Sequence, residues 1–385
     1  MVYFIYPKKK DAQKMILVLF GFLTGSFLKR GTYLLTRDDL SNMLIICFVV
    51  EFLIYQARYQ WNDIRGVEED QSEQKSNRLP VKILGKYVAI FFSSVLIVIR
   101  VIGALVIVLH LKDEMKYILL IGLIMIFVST LLYEISRSFR KVFLTFLTVS
   151  FGYAIRFGIG MWCANPEIWY SGLTIYDRNI TRIIIIGLLF SYALLGEFSV
   201  ALSWIQEAVF QKECGIELRR VHYIYLYESF RKHRIGKYFI GREFLKENGK
   251  ILDLWNATYI ASIVLLAGIS CYLRPQIFII ELPIIISSVL ICIGKRMKLY
   301  IGILVAFGLT GIFYSIYNYQ LYFLNGYMCV TQCMFTGIYV FLRFFLNPDF
   351  DFTVCCKYLA IQLFILFIGK ETYSYLQDGS KIKGK

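Results

Sequence analysis

Charge is scarce in this chain. Only 18% of its 385 residues are charged, 58% are hydrophobic, and the mean hydropathy is +0.60. A soluble domain of this length needs far more charge to cover its surface, so a water-soluble globular fold is excluded. Histidine is rarer still: His110, His222 and His233 are the full set, and none is paired with a serine or cysteine nucleophile, which argues against histidine acid/base catalysis. The nine cysteines show no paired metal-ligand spacing. Most of them (Cys47, Cys163, Cys271, Cys292, Cys329, Cys333) lie inside apolar segments, and the adjacent Cys355 and Cys356 cannot chelate tetrahedrally unaided, so packing is their reading. The opening MVYFIYPKKKDAQK puts its basic residues before a first apolar segment that lacks a small-residue cleavage site, so the N-terminus is expected to be retained.

What the chain has in abundance is apolar length. Spanning helices need roughly 20 apolar residues each. By that measure the sequence offers about eleven segments, near 15–28, 41–60, 84–111, 116–134, 142–163, 183–209, 252–273, 277–294, 299–318, 321–346 and 355–372. The first is short enough to tilt or to lie partly at the interface. The sequence therefore predicts an all-α, polytopic transmembrane helix bundle.

With the N-terminus in the cytoplasm, 27 of the 42 lysines and arginines fall in inner loops and 12 in outer ones, which supports N-in, C-out. The net charge of +15 is mostly this topology signal. Anionic headgroups or diphosphates are the natural partners of the inner face, and nothing points to nucleic acid. The 28 tyrosines and 32 phenylalanines read as interfacial belts and helix packing, with a subset free to line a cavity.

Two inner loops are longer than a connection requires, 61–83 and 211–250. Four segments separate them, a pattern of two helices, loop, four helices, loop that suggests an internal repeat. The second, QKECGIELRRVHYIYLYESFRKHRIGKYFIGREFLKENGK, carries ten basic residues and reads as surface-lying amphipathic helix or as a solvated linker. The first contains YQWNDIRGVEEDQSEQKSNRLP, where Asn62, Asp63, Glu68, Glu69 and Asp70 crowd the end of an apolar run. Carboxylates at a membrane helix end are costly unless solvated or holding a cation. In a helix, Asp63, Gly66 and Asp70 share a face. Hard oxygen ligands of this kind suit magnesium, which completes its shell with phosphate and water.

The run NDIRGVEED followed by NRLP resembles the first signature of the UbiA superfamily of intramembrane prenyltransferases, Asn-Asp-x-x-Asp-x-x-x-Asp and then a basic Arg-Pro segment. Asn62, Asp63 and Asp70 match its first, second and last positions, and Arg78 its basic residue. Gly66 replaces the middle aspartate, with Glu68 or Glu69 as the substitute ligand. In LLYEISRSFRK, Tyr133 and Arg137 fall on the family's Tyr-x-x-x-Lys pattern, which touches the diphosphate. FGYAIRFGIG, from Phe151 to Gly160, resembles a glycine-bearing helix with an embedded arginine. The family's second signature, commonly Asp-x-x-x-Asp after its sixth helix, corresponds to SWIQEAVFQKECGIELRR. There Glu207, Glu213 and Glu217 are the candidates for a second magnesium, and a salt-bridged reading of Glu213 and Glu217 with Arg219 and Arg220 stands beside it. Ser203 and Trp204 occupy the places where the phosphoribosyl-transferring branch has a basic pair.

The resemblance covers roughly residues 10–275. It implies a UbiA-like bundle of about nine core helices over 1–275, with additional C-terminal helices over 276–385. It also implies a multi-pass protein of a bacterial-type plasma membrane whose active site faces the cytoplasm. The implied activity is Mg2+-dependent transfer of an isoprenyl group from its diphosphate to an acceptor. Asn62, Asp63 and Asp70, with Glu69, Glu207, Glu213 and Glu217, would hold the metal, and Arg58, Arg65, Arg78, Tyr133 and Arg137 would hold the diphosphate. The alternatives are terpene cyclisation, phosphoribosyl transfer to polyprenyl phosphate, and a non-catalytic transporter or lipid-binding protein. Arg58, Arg100 and Arg156 lie within segments and require partners, for which Glu51, Glu134 and Glu197 are at hand. Arg58, one turn before Asn62, either reaches the diphosphate or snorkels to the headgroups.

Overall fold

The computed structural model describes residues 14–30, 35–67, 81–139, 141–169, 178–213 and 254–273, together with 215, 228 and scattered positions between 281 and 342. Among the described residues every element is helical. Helix α1 is Met15–Arg30, α2 is Arg37–Arg65, α3 is Val81–Leu84, α4 is Lys86–Leu109, α5 is Asp113–Ser138 and α6 is Val142–Ala164. Helix α7 runs through Arg178–Gly196, a π-helical stretch Glu197–Ala201, and Leu202–Glu213; α8 is Leu254–Leu273. Five of these helices are long and apolar enough to cross a membrane, and the chain is a helical membrane protein. The seven helices expected up to residue 273 are all present. The four apolar segments expected after it fall almost wholly outside the described residues.

Helix α2 outruns the apolar stretch that predicts it. Its start is drawn back to Arg37 by a capping box: the Asp39 N–H donates to the Thr36 hydroxyl at 3.2 Å, and the Thr36 N–H donates to the Asp39 carboxylate at 2.8 Å. At its other end Gln56–Arg65 is polar yet stays helical, because Gln56, Ala57 and Gln60 are buried. Residues 61–65, expected in the loop, are therefore helix. Gly66 caps it, its N–H donating to the Asn62 carbonyl at 2.9 Å. Helix α2 thus ends at Arg65, and Asp70, expected to share a face with Asp63, lies outside the described residues.

The chain divides into two compact units, Met1–Ile185 and Ile186–Lys385, with the division falling inside α7. In the first unit, α1 and α6 approach until their backbones touch. A Cβ at Gly21 would collide with the Phe157 carbonyl, one at Gly25 with that of Met161, and one at Gly160 with that of Val18. Small residues at such a crossing let dispersion and close packing hold helices together where lipid offers no hydrophobic drive. Lys14, which immediately precedes α1, also donates to the Tyr59 hydroxyl of α2 at 3.0 Å. The α1 segment, short enough to tilt or to lie partly at the interface, packs against α6. Tight connections at 110–112 and 139–141 set α4, α5 and α6 antiparallel in sequence, with α4 against α2 and α5 against α6. Gly85, at φ +76°, makes the left-handed step from α3 into α4.

The second unit is built on aromatics. Trp255 and Tyr259 of α8 stack on Tyr339 at centroid distances of 4.6 and 4.0 Å, with Phe198, Phe335 and Tyr192 set edgewise around them. The Trp255 indole N–H donates to the Phe198 carbonyl at 2.8 Å, satisfying a backbone group within the π-helical stretch.

Candidate functional site

Polar side chains of the first unit converge on α2. Midway along it, the π-helical stretch Phe48–Tyr55 carries Glu51, which is 3% exposed. Arg156 of α6 donates from Nε to Glu51 Oε1 at 2.7 Å, from Nη1 to the Gly152 carbonyl at 3.2 Å and from Nη2 to the Tyr59 hydroxyl at 2.9 Å. Its guanidinium lies 3.3 Å from the centroid of the Tyr55 ring. A charge inside a bundle is tolerated only when paired and bonded, and Arg156 is both. Its carboxylate partner, Glu51, is one of the three at hand for the intramembrane arginines.

Toward the C-terminal end of α2 the pattern changes. The Arg58 guanidinium is held by ring faces, 5.8 Å from Tyr55 and 5.6 Å from Tyr133 of α5. Its Nε has no hydrogen-bond partner among the described residues. One turn on, the Asn62 Oδ1 is likewise buried and unpartnered. Arg65, at the end of α2, pairs with Glu134 beside Tyr133 on α5. Arg100 of α4 donates to Gln60 Oε1 at 2.5 Å. Of the carboxylates proposed for the intramembrane arginines, Glu51 takes Arg156, and Glu134 takes Arg65 rather than Arg58.

The fold therefore brings Arg58, Asn62, Asp63 and Arg65 of α2 to the same end of the bundle as Tyr133 of α5. Arg137 follows Tyr133 by one turn and stands half-buried in the last turn of α5, where a cation suits the helix dipole. Glu207 lies on α7 in the second unit, and Glu213 ends that helix. Glu69, Asp70, Arg78 and Glu217 lie outside the described residues. Among the described residues no three His, Cys, Asp or Glu side chains gather as a metal site. The hard-oxygen donors present at this end of α2 are Asn62 Oδ1 and the Asp63 carboxylate, which match magnesium in type.

Tyr55, Tyr59 and Gly152 were not legible as site residues. Tyr55 and Tyr59 are two of 28 tyrosines. The available signal was their four-residue spacing on the helix that also carries Glu51 and Arg58. Gly152 matters because its open side faces both cations: a Cβ there would meet Nη1 of Arg156 and Nη1 of Arg58, each at 3.9 Å. No family model, curated protein or solved structure matches this chain.

Proposed function

We propose that this membrane protein is a magnesium-dependent prenyltransferase of the UbiA kind, acting on an isoprenyl diphosphate at the C-terminal end of α2. The observation that supports it is the pairing of unlike demands within one turn. Among the described residues the Arg58 Nε has no hydrogen-bond partner, and Asn62 presents a buried oxygen that has none either. An anion answers the first and a metal ion the second, and a magnesium diphosphate carries both. Asn62 and Asp63 would hold the metal, joined by Asp70 and Glu69 from the following segment. Magnesium, when bound, supplies positive charge to the departing diphosphate.

The remaining chemistry falls to the chain's own side chains. The C–O bond of the allylic diphosphate breaks, its electron pair stays on the diphosphate oxygen, and the acceptor's nucleophile closes on the allylic carbon and loses its proton. Arg58 and Arg137 favour that step by answering charge that grows on the leaving group. The Tyr55 and Tyr133 rings fix Arg58 by cation–π contact. The experiment is diphosphate release from purified protein in lipid, with isoprenyl diphosphates of several lengths, compared with Asp63→Ala. Release that needs both magnesium and Asp63 is expected. Silence at every length, with and without small acceptors, overturns the reading.

A second reading, transport, has one observation in its favour. The Glu51–Arg156 pair sits midway along α2 in a π-helical interruption, the depth at which transporters place their sites in broken helices. Substrate-gradient uptake into liposomes that fails in Glu51→Gln would favour it over the enzyme.

A further inference from the structure

Two contacts set how α5 meets the end of α2. The Arg58 guanidinium lies 5.6 Å from the centroid of the Tyr133 ring, and Arg65 pairs with the next residue of α5, Glu134. Asn62 stands between the two arginines on the same face of α2, one turn from each. Side chains on a helix lean toward its N-terminus, so Arg65 reaches Glu134 across the turn that carries Asn62. Glu134 gives Oε2 to Arg65; its Oε1 is buried and, like the Asn62 Oδ1, has no hydrogen-bond partner among the described residues.

Both of these oxygens are acceptors. A carboxylate paired with an arginine and an amide oxygen carry no hydrogen to offer each other, and a bundle interior makes unmade bonds costly. A hard cation answers both. The same turn holds the departure from the UbiA signature. Gly66, one turn after Asn62, stands where the pattern has its middle aspartate, and among the described residues a Cβ there would meet only the Asn62 carbonyl, at 3.3 Å. The space beside Asn62 is thus open to a carboxylate from another helix. We infer that Glu134 is that carboxylate, completing the magnesium site from α5 in the place of the signature's middle aspartate. The inference rests on the prenyl-transfer reading, in which Asn62 and Asp63 hold the metal and Arg58 faces the diphosphate. A glutamate so placed acts in two senses: without metal its charge repels an incoming diphosphate, and with magnesium it holds the ion that draws the diphosphate in.

The test is equilibrium binding of labelled geranyl, farnesyl and geranylgeranyl thiolodiphosphates, which do not ionise readily, to the full chain in nanodiscs, with magnesium and with EDTA. In the parent, magnesium should tighten binding. In Glu134→Gln the gain from magnesium should shrink by at least about tenfold, the scale on which metal sites respond to loss of a supporting group. Affinity in EDTA should stay the same or rise, a split that a merely structural glutamate does not produce. Adding Gly66→Asp to that variant should restore the gain. The double variant Glu134→Gln with Arg65→Gln strands no charge between the two positions, and its magnesium gain should shrink in the same way, so the site is read even if the single variant fails to fold. A full magnesium gain in either variant, including equal losses of affinity with magnesium and with EDTA, overturns the inference and leaves the prenyl-transfer reading standing, with Glu134 serving Arg65 alone. No magnesium gain in the parent at any chain length overturns both.

Discussion

The two units use the same backbone irregularity for opposite ends. Each has a long helix with a π-helical stretch that contains a Glu-Phe pair, Glu51–Phe52 in α2 and Glu197–Phe198 in α7. In the first unit the widened turn delivers Glu51 to Arg156, and charge is stored in the bundle. In the second, the Phe198 carbonyl accepts from the Trp255 indole and the Phe198 ring joins the aromatic cluster. One irregularity thus serves an ionic interior and the other an aromatic one. The ionic interior leads to Arg58 Nε and Asn62 Oδ1, a cation and an oxygen donor one turn apart with no hydrogen-bond partners among the described residues, and that is why the candidate site is placed there, although the Ser199 Oγ of the second π-helical stretch is unpartnered too.

The sharpest way to break this comparison is Arg156→Met. It strands Glu51 in the bundle, and losing one partner of a buried pair costs about 3–5 kcal/mol. Unfolding in detergent should register that loss, and the double variant Glu51→Gln with Arg156→Met should recover most of it. A single variant as stable as the parent would mean that the pair is not held as the structure has it. Next in size is Arg58→Gln, for which diphosphate release should fall about a hundredfold, as when a preorganised charge is removed from a reaction centre. Stability should fall by no more than about 2 kcal/mol, the loss of the two ring contacts, since the guanidinium Nε makes no hydrogen bond among the described residues. Loss of folding without loss of turnover per folded molecule would make Arg58 structural. Third is Trp255→Phe, which leaves the Phe198 carbonyl without its indole donor at a cost of about 1–3 kcal/mol. That variant should melt earlier while turnover per folded molecule stays the same.

Much of the first unit could be read in advance, for a physical reason. A span must be apolar for about 20 residues, so its polar exceptions stand out. Glu51 and Arg156 were visible as buried charges that each needed a partner, though not as each other's, and Tyr133 was marked by its spacing to Arg137. What could not be read was direction. Whether Glu134 serves Arg58 or Arg65 depends on where α5 meets α2, and no local pattern encodes that. The end of α2 was misplaced for a related reason: its last turns are polar in sequence and helical only because Gln56, Ala57 and Gln60 find cover in the fold. In the second unit the aromatics that build the core were lost among residues whose usual station is the membrane interface.

The smallest effect tests the boundary between structure and function within the first unit itself. Gly152 meets the polar cluster in three ways: its carbonyl accepts from Arg156 and from Tyr55, and its open side lies against both arginines. A methyl group there fits without collision, since 3.9 Å is an ordinary van der Waals contact. Gly152→Ala should therefore fold with a change in stability under about 1 kcal/mol, helped by the better helix propensity of alanine. The added carbon does occupy the space beside the Arg58 guanidinium that an anion would approach. A raised KM for the isoprenyl diphosphate with little change in melting temperature is the expected outcome. If KM and melting temperature both stay at parental values, the anion does not approach Arg58 past Gly152, and the diphosphate must be sought on the side of Asn62 and Arg137.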